Sequence, residues 1–200
     1  MSFSHNVNSP FSAVLLAGGK SSRMGCDKAF VEIDGEPLWE RQIRLLCGLE
    51  PHEIFIAGPE RREWRSYNVI PDAEPHCGPV PVVASALRRC ATPLLLVLAV
   101  DLPQMTADYL RGLVDRGAVV PRGQPLSAIY PREAESLADS CRSMQQFASC
   151  CAAEGLVRLA EVAPDDEHLF FNLNTPVDLA ALTSAEASDK VLEGDAILPR

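Results

Sequence analysis

Leu94 to Val100 is a run of seven apolar residues, stopped at once by Asp101-Leu102-Pro103. A short run without alternation reads as a strand covered on both faces, because a half-exposed strand would show a polar residue at every second position. No longer apolar run occurs in the chain, and this one is far short of the roughly 20 residues that cross a bilayer. Ser12 to Ala17 has the same character and ends at Gly18-Gly19. Two such strands, each ending in a loop rich in functional residue types, point to a sheet buried between helices.

The segments between them support that reading. Leu38 to Leu49 carries Leu38, Ile43, Leu46, Cys47 and Leu49 near helical spacing, with Pro37 suited to a first turn. Glu53 to Gly58 and Tyr67 to Ile70 read as strands, and Pro81 to Cys90 as a helix. Thr106 can cap a helix over Ala107 to Arg116 that ends at Gly117. The order β-α-β-β-α-β-α predicts an α/β fold: a Rossmann-like, doubly wound, mostly parallel sheet with right-handed crossovers and helices on both faces. In the second half, Pro125 to Tyr130, Val157 to Val162 and Leu169 to Leu173 are expected as strands. Ala134 to Ala153 is expected as one helix, and Pro176 to Leu182 as a short one capped by Thr175.

The chain has 200 residues, 47% apolar and 22% charged, which fits one folded domain and excludes disorder over most of its length. Residues 1–10 read as a flexible arm, 11–185 as the domain, and 186–200 as a polar tail whose folding the sequence leaves open. The first ten residues lack the basic region and apolar stretch of a secretory signal. Seven Cys, an odd count without a Cys-x-x-Cys pair, and four scattered His argue against a disulfide framework or a zinc site and for a cytoplasmic setting. With 27 acidic and 18 basic residues the net charge is −9, so neither nucleic acid nor an anionic membrane is an expected partner. An anionic ligand needs a local cationic site instead.

Two of the three lysines, Lys20 and Lys28, lie in the loop after the first strand, with Arg23 between them. The loop leaves a buried strand at the carboxyl edge of the sheet, where α/β folds bind ligands. Leu16, Ala17, Gly18 and Gly19 allow a close backbone approach and offer N–H groups. Arg23 and Lys28 supply a forked and a compact cation. The combination reads as a triphosphate cradle, although it matches neither the Gly-x-x-x-x-Gly-Lys-Ser/Thr loop nor the Gly-x-Gly-x-x-Gly fingerprint. Asp101, at the end of the most apolar strand, is placed to hold Mg²⁺, which needs only one or two protein carboxylates beside phosphate oxygens.

Leu16-Ala17-Gly18-Gly19-x-Ser21-x-Arg23-Met24-Gly25-x-Asp27-Lys28 resembles the signature of the molybdenum cofactor guanylyltransferases, a family of Rossmann-like nucleotidyltransferases. Gly35-Glu36-Pro37-Leu38, Val69-Ile70-Pro71-Asp72, Gly78-Pro79, Asp101-Leu102-Pro103 and Asn172-Leu173-Asn174-Thr175-Pro176 resemble later family blocks in the same order. The resemblance implies transfer of GMP from GTP to molybdopterin, with pyrophosphate released and Mg²⁺ as cofactor. It implies catalytic roles for Arg23, Lys28 and Asp101, with Asp101 the metal ligand. Leu16 to Gly19, Lys28, Asp72 and Asp101 would bind the nucleotide. Gly78, Pro79, Asn172 and Asn174 would lie on the molybdopterin side. From residue type alone, Asp72 is equally a turn residue, and either asparagine equally a backbone cap. Other cofactor-biosynthesis proteins or molybdoenzyme chaperones are the implied further partners.

The chain departs from the family pattern at two places. Val82 stands where the block Gly-Pro-Leu-x-Gly has its second glycine, and Gly58 where an asparagine is usual. Two alternatives follow: CMP transfer to the same acceptor, or transfer to another phosphate acceptor. A non-catalytic module that binds nucleotide or cofactor is the alternative of another class. The cytidine relatives usually read Leu-Ala-Ala-Gly, so Gly18-Gly19 favours guanine.

Overall fold

The structure is a computed structural model that describes residues 9–18, 26–71 and 78–182. Its first strand, β1 (Phe11–Leu16), is buried at every position. The two-residue strands β2 (Glu32–Ile33) and β3 (Glu36–Pro37) form a small hairpin. Asp34 and Gly35 turn it with φ of 52° and 77°, the left-handed pair that a two-residue Asp-Gly connection requires. Then follow α1 (Leu38–Cys47), β4 (Ile54–Ala57), β5 (Asn68–Ile70), α2 (Val80–Arg89) and β6 (Leu94–Ala99). The second half holds α3 (Ala107–Asp115), β7 (Val119–Pro121), β8 (Ser127–Pro131), α4 (Met144–Ala153) and β9 (Arg158–Ala160).

Seven strands form one sheet in the order β5-β4-β1-β6-β8-β7-β9. Neighbours pair in parallel except where β8 meets β6 and β7. β8 is reversed because only residues 122–126 join it to β7, and so short a connection permits an antiparallel return only. The order runs outward from β1 through β4 to β5, then resumes on its other side at β6, which is the doubly wound pattern. Every residue of β1 and β6 is buried whichever way it points, so both faces are covered. α1 packs on β1, α2 on β5 and β6, and α3 on β8.

Four segments differ from the sequence reading. Ala134 to Ala153 is not one helix: a 3₁₀ helix, Arg132–Ser140, precedes α4. Ser143 breaks the run by taking an extended conformation and accepting a hydrogen bond from Gln146 N at 3.2 Å. The apolar spacing continues across the break because Ala134, Ala138, Met144, Phe147 and Cys151 all face the same core. Leu169 to Leu173 is not a strand. It comprises the end of a 3₁₀ helix, Pro164–Phe170, and an extended stretch outside the sheet. Its apolar residues reach the core without joining a ladder. β7 and the β2–β3 hairpin were not expected; strands so short carry almost no period.

Thr106 caps α3, accepting from Tyr109 N, and Thr175 caps the helical residues 176–182 through Asp178 N. Among the described residues no helix is long and apolar enough to cross a membrane. Ser143→Ala should lower stability by about 1 kcal/mol, the usual loss for an N-cap, whereas Ser143→Asp should retain it. Urea unfolding midpoints test both.

Candidate active site

The site grows from the end of β1. Leu16 lies opposite Ala99 on β6 and Ala57 on β4. Its carbonyl accepts from Val100 N at 3.0 Å, and Ala17 N donates to Ala57 O at 2.8 Å. The ladder therefore extends through Ala17, whose N–H is taken by the sheet, and Gly18 is the first residue clear of it. A Cβ on Gly58 would stand 3.0 Å from Gly18 N and 3.2 Å from Ala17 C. Gly58, one of the two departures, thus lets the end of β4 lie directly against the loop.

Lys28 opens a 3₁₀ helix, Lys28–Phe30, whose cap is Asp27. Asp27 Oδ1 accepts from Ala29 N at 3.1 Å, and Oδ2 accepts from Arg61 at 2.7 Å. Arg61 also lies over the Phe30 ring, 5.6 Å from its centroid. Phe30 stacks on the fully buried Trp64 at 5.9 Å, and Trp39 meets Trp64 edge-on at 6.3 Å. An aromatic cluster below and an ion pair beside it thus fix the backbone that carries Lys28.

Lys28 Nζ donates to Asp101 Oδ2 at 3.0 Å and to Asn174 Oδ1 at 2.6 Å. Three segments remote in sequence meet at this one ammonium. The Asp101 turn is held in its own right. From α1, Gln42 Nε2 donates to Leu102 O at 2.7 Å and Arg41 Nε to Pro103 O at 3.1 Å. Leu173 N donates to Asp101 O at 2.9 Å. Asp178 Oδ2 accepts from Asn174 N and Thr175 N at 2.9 and 2.7 Å. Those backbone donors, Asn174 N first, hold the Asp178 carboxyl below its ordinary range.

The structure thus brings together Lys28, Asp101 and Asn174, beside the Leu16–Gly18 turn. Gly78 and Pro79 lead into α2, with Pro79 as its cap residue. Val82, the other departure, is buried inside α2 as part of the core. Asn172 Nδ2 donates to Phe170 O at 3.1 Å. Gly19, Lys20, Arg23 and Asp72 lie outside the described residues. Gln42 was missed, although it left a signal. It interrupts the apolar face formed by Leu38, Trp39, Ile43 and Leu46, and it is completely buried. A polar residue in such a stripe needs a partner, and here the partner is the Asp101 turn. A cavity of about 310 Å³ lies along α3, and none of these site residues lines it.

The MobA-like NTP transferase domain model matches residues 13–159. The chain belongs to the MobA-like NTP transferase family. It is 33% identical over 188 residues to a probable molybdenum cofactor guanylyltransferase of Opitutus terrae, covering 85% of this chain and 93% of that one. It is also 33% identical over 189 residues to a protein of the same description from Deinococcus radiodurans, covering 87% and 94%. In three dimensions it resembles a nucleotidyl transferase from Methanothermobacter, with TM-score 0.74, 16% identity and coverage of 91% and 100%. It likewise resembles the molybdopterin-guanine dinucleotide biosynthesis protein A of Archaeoglobus fulgidus, with TM-score 0.66, 20% identity and coverage of 88% and 99%. These structural likenesses establish the shared α/β fold of the MobA-like chain.

Gly58→Ala should destabilise the protein by about 1–3 kcal/mol, since the added methyl would crowd the Ala17–Gly18 peptide and the ring of the fully buried Trp64, 3.2 Å away. Thermal unfolding checks this, and an unchanged midpoint would show that the β4 end and the Gly18 turn are less closely packed.

Proposed function

We propose that this protein transfers GMP from GTP to molybdopterin, forming the guanine dinucleotide cofactor and releasing pyrophosphate. The observation that carries the reading is the Lys28–Asp101 contact at the carboxyl edge of β6, next to the glycine turn that ends β1. Relatives named molybdenum cofactor guanylyltransferase, matched over most of both chains, supply the choice of nucleotide and acceptor. Residues 11–185 form the catalytic domain in this reading.

In this proposal the terminal phosphate of molybdopterin attacks the α-phosphorus of GTP. A new P–O bond forms, the bond from the α-phosphorus to the bridging oxygen breaks, and the electron pair leaves with pyrophosphate. The nucleophile is already an anion, so no side chain need remove a proton. The work left to the protein is alignment and charge neutralisation. Lys28 supplies a fixed cation, and Arg23 from the same loop a second. Leu16 to Gly19 and Asp72 contact the nucleotide, with Gly18 and Gly19 supplying the N–H groups that Ala17 cannot. Gly78, Pro79, Asn172 and Asn174 lie toward molybdopterin. Asn174 acts through Lys28, holding its ammonium against Asp101.

The donor set fits Mg²⁺ brought in on a triphosphate. Among the described residues no group of three or more His, Cys, Asp or Glu could form a protein cage, and Mg²⁺ is ordinarily held by one or two carboxylates plus phosphate oxygens. Asp101 is the ligand in this reading. When bound, the ion neutralises charge on the phosphate oxygens. The setting is cytoplasmic, and the product passes to other cofactor-biosynthesis proteins or to molybdoenzyme chaperones.

Lys28→Ala and Asp101→Ala should each lower pyrophosphate release by about 10²–10³-fold, the usual loss for one preorganised charge-stabilising group, with circular dichroism unchanged. Wild-type turnover by either variant would remove the assignment. Running the assay with CTP in place of GTP tests base choice: guanylyl transfer predicts release with GTP and molybdopterin together and none with CTP. Chelation of Mg²⁺ should stop the reaction and its return restore it.

A further inference from the structure

Asp178 makes one contact more than a helix start requires. It stands three residues after Thr175, the cap of the helical residues 176–182. Asp178 N donates to Thr175 Oγ1 at 3.3 Å, and Thr175 N donates to Asp178 Oδ2 at 2.7 Å. That exchange is a capping box, which satisfies the cap residue's own N–H and no residue before it. Here the same Oδ2 also accepts from Asn174 N at 2.9 Å. The extra bond goes to the residue whose Oδ1 accepts from the Lys28 ammonium.

Asn174 depends on that bond for its place. It is exposed and lies in an extended stretch outside the sheet, so neither burial nor a strand ladder fixes it. On one side of it Leu173 is fully buried and donates its N–H to Asp101 O. On the other side stands Asp178. The successive N–H groups of Leu173, Asn174 and Thr175 thus have defined acceptors, one in the β6 turn and one in the helix. From a backbone clamped at both ends, Asn174 Oδ1 meets Lys28 Nζ at 2.6 Å. The Asp178 carboxyl is lowered first by the Asn174 N–H and last by the charge of Lys28, so it lies within the field of the ammonium.

We infer that Asp178 is a positioning residue: through Asn174 it fixes where the Lys28 ammonium stands. The inference rests on the proposed function, in which Lys28 is the cation on the phosphates. Without Asp178 the N–H groups of Asn174 and Thr175 turn to water, and Asn174 loses the fixed backbone from which it reaches Lys28. The ammonium keeps its charge and its contact with Asp101, and it loses the support from Asn174. A cation that keeps its charge still attracts a triphosphate, so ground-state binding survives. What is lost is alignment with the charge that develops in the transition state.

The test combines kinetics with a direct view of the ammonium, on the full chain. Asp178→Ala should lower kcat for pyrophosphate release about tenfold, the low end of the loss usual for an outer supporting residue, and leave KM for GTP within about twofold. Asn174→Ala should do the same, and the double variant should be no slower than either alone, because both remove one linkage. Asp178→Glu should restore the rate, since Glu at this position also closes a capping box. Thr175→Ala removes the cap hydroxyl and leaves the Asn174 N–Asp178 bond, so it should lower the unfolding midpoint and keep kcat. The chain has three lysines, so the Lys28 signal in a spectrum of nitrogen-labelled lysine can be assigned with Lys28→Arg. That signal should shift in Asp178→Ala and Asn174→Ala and stay in place in Thr175→Ala and Asp178→Glu. Wild-type kcat in Asp178→Ala overturns the inference, as do losses that add in the double variant, an equal loss in Thr175→Ala, or a Lys28 signal indifferent to Asp178. The expected signal pattern in a protein that releases no pyrophosphate from GTP and molybdopterin supports the link from Asp178 to Lys28 and removes guanylyl transfer.

Discussion

Parallel pairing of β1 with β6 sets Leu16 beside Ala99, so the chain leaves both strands at the same edge of the sheet. From that edge one strand runs into the glycine turn and the other into Asp101. A one-residue slip in this pairing would exchange the side chains of either strand between two covered faces, each close-packed around its own set. Because both strands are buried throughout, the core itself prevents the slip. The distance between the turn and the carboxylate is therefore set by hydrophobic packing in the middle of the molecule.

Charge then acts on a prepared frame. The chain carries a net charge of −9, and an acidic surface opposes an anionic substrate at long range. Screening confines that opposition to about 8–10 Å at ordinary ionic strength, so a few fixed cations inside the site can dominate locally. Lys28 is such a cation. Its ammonium is held between Asp101 and Asn174, and the aromatic cluster under Phe30 holds its backbone. The contact ties the first loop, the β6 turn and the segment before residues 176–182 to one another. Gln42 and Arg41 add a support from α1 to the same turn, so the carboxylate has little freedom to drift when its cation partner changes.

Much of the frame could be read directly from the chain. Buried strands showed as continuous apolar runs, and α1, α2 and α3 showed their helical spacing. Thr106 and Thr175 were recognisable as caps, because each stands immediately before a helical segment and carries a side-chain oxygen. The reading failed where tertiary contact outweighed local pattern. The 132–153 stretch keeps its apolar spacing through a break because two separate helices share a core. Leu169, Phe170 and Leu173 are apolar for packing reasons and never join the sheet. β7 needs β8 and β9 beside it to exist at all. Val82, which stands where the family pattern has a glycine, packs in the core, since α2 begins two residues before it.

By itself the sequence determined the α/β class, the strands that form the centre of the sheet, and the identity of Lys28 and Asp101 as site candidates. Those properties are encoded locally, in apolar runs, caps and a cluster of glycines and cations. Only the tertiary structure decided that Asn174 bonds to Lys28 while Asn172 bonds back to Phe170, that Ala17 spends its N–H on the sheet, and that Gly58 makes room for the Gly18 turn. Each of those depends on residues far apart in the chain meeting at defined distances. Pairing across the sheet sets such distances, and no spacing along the sequence records them.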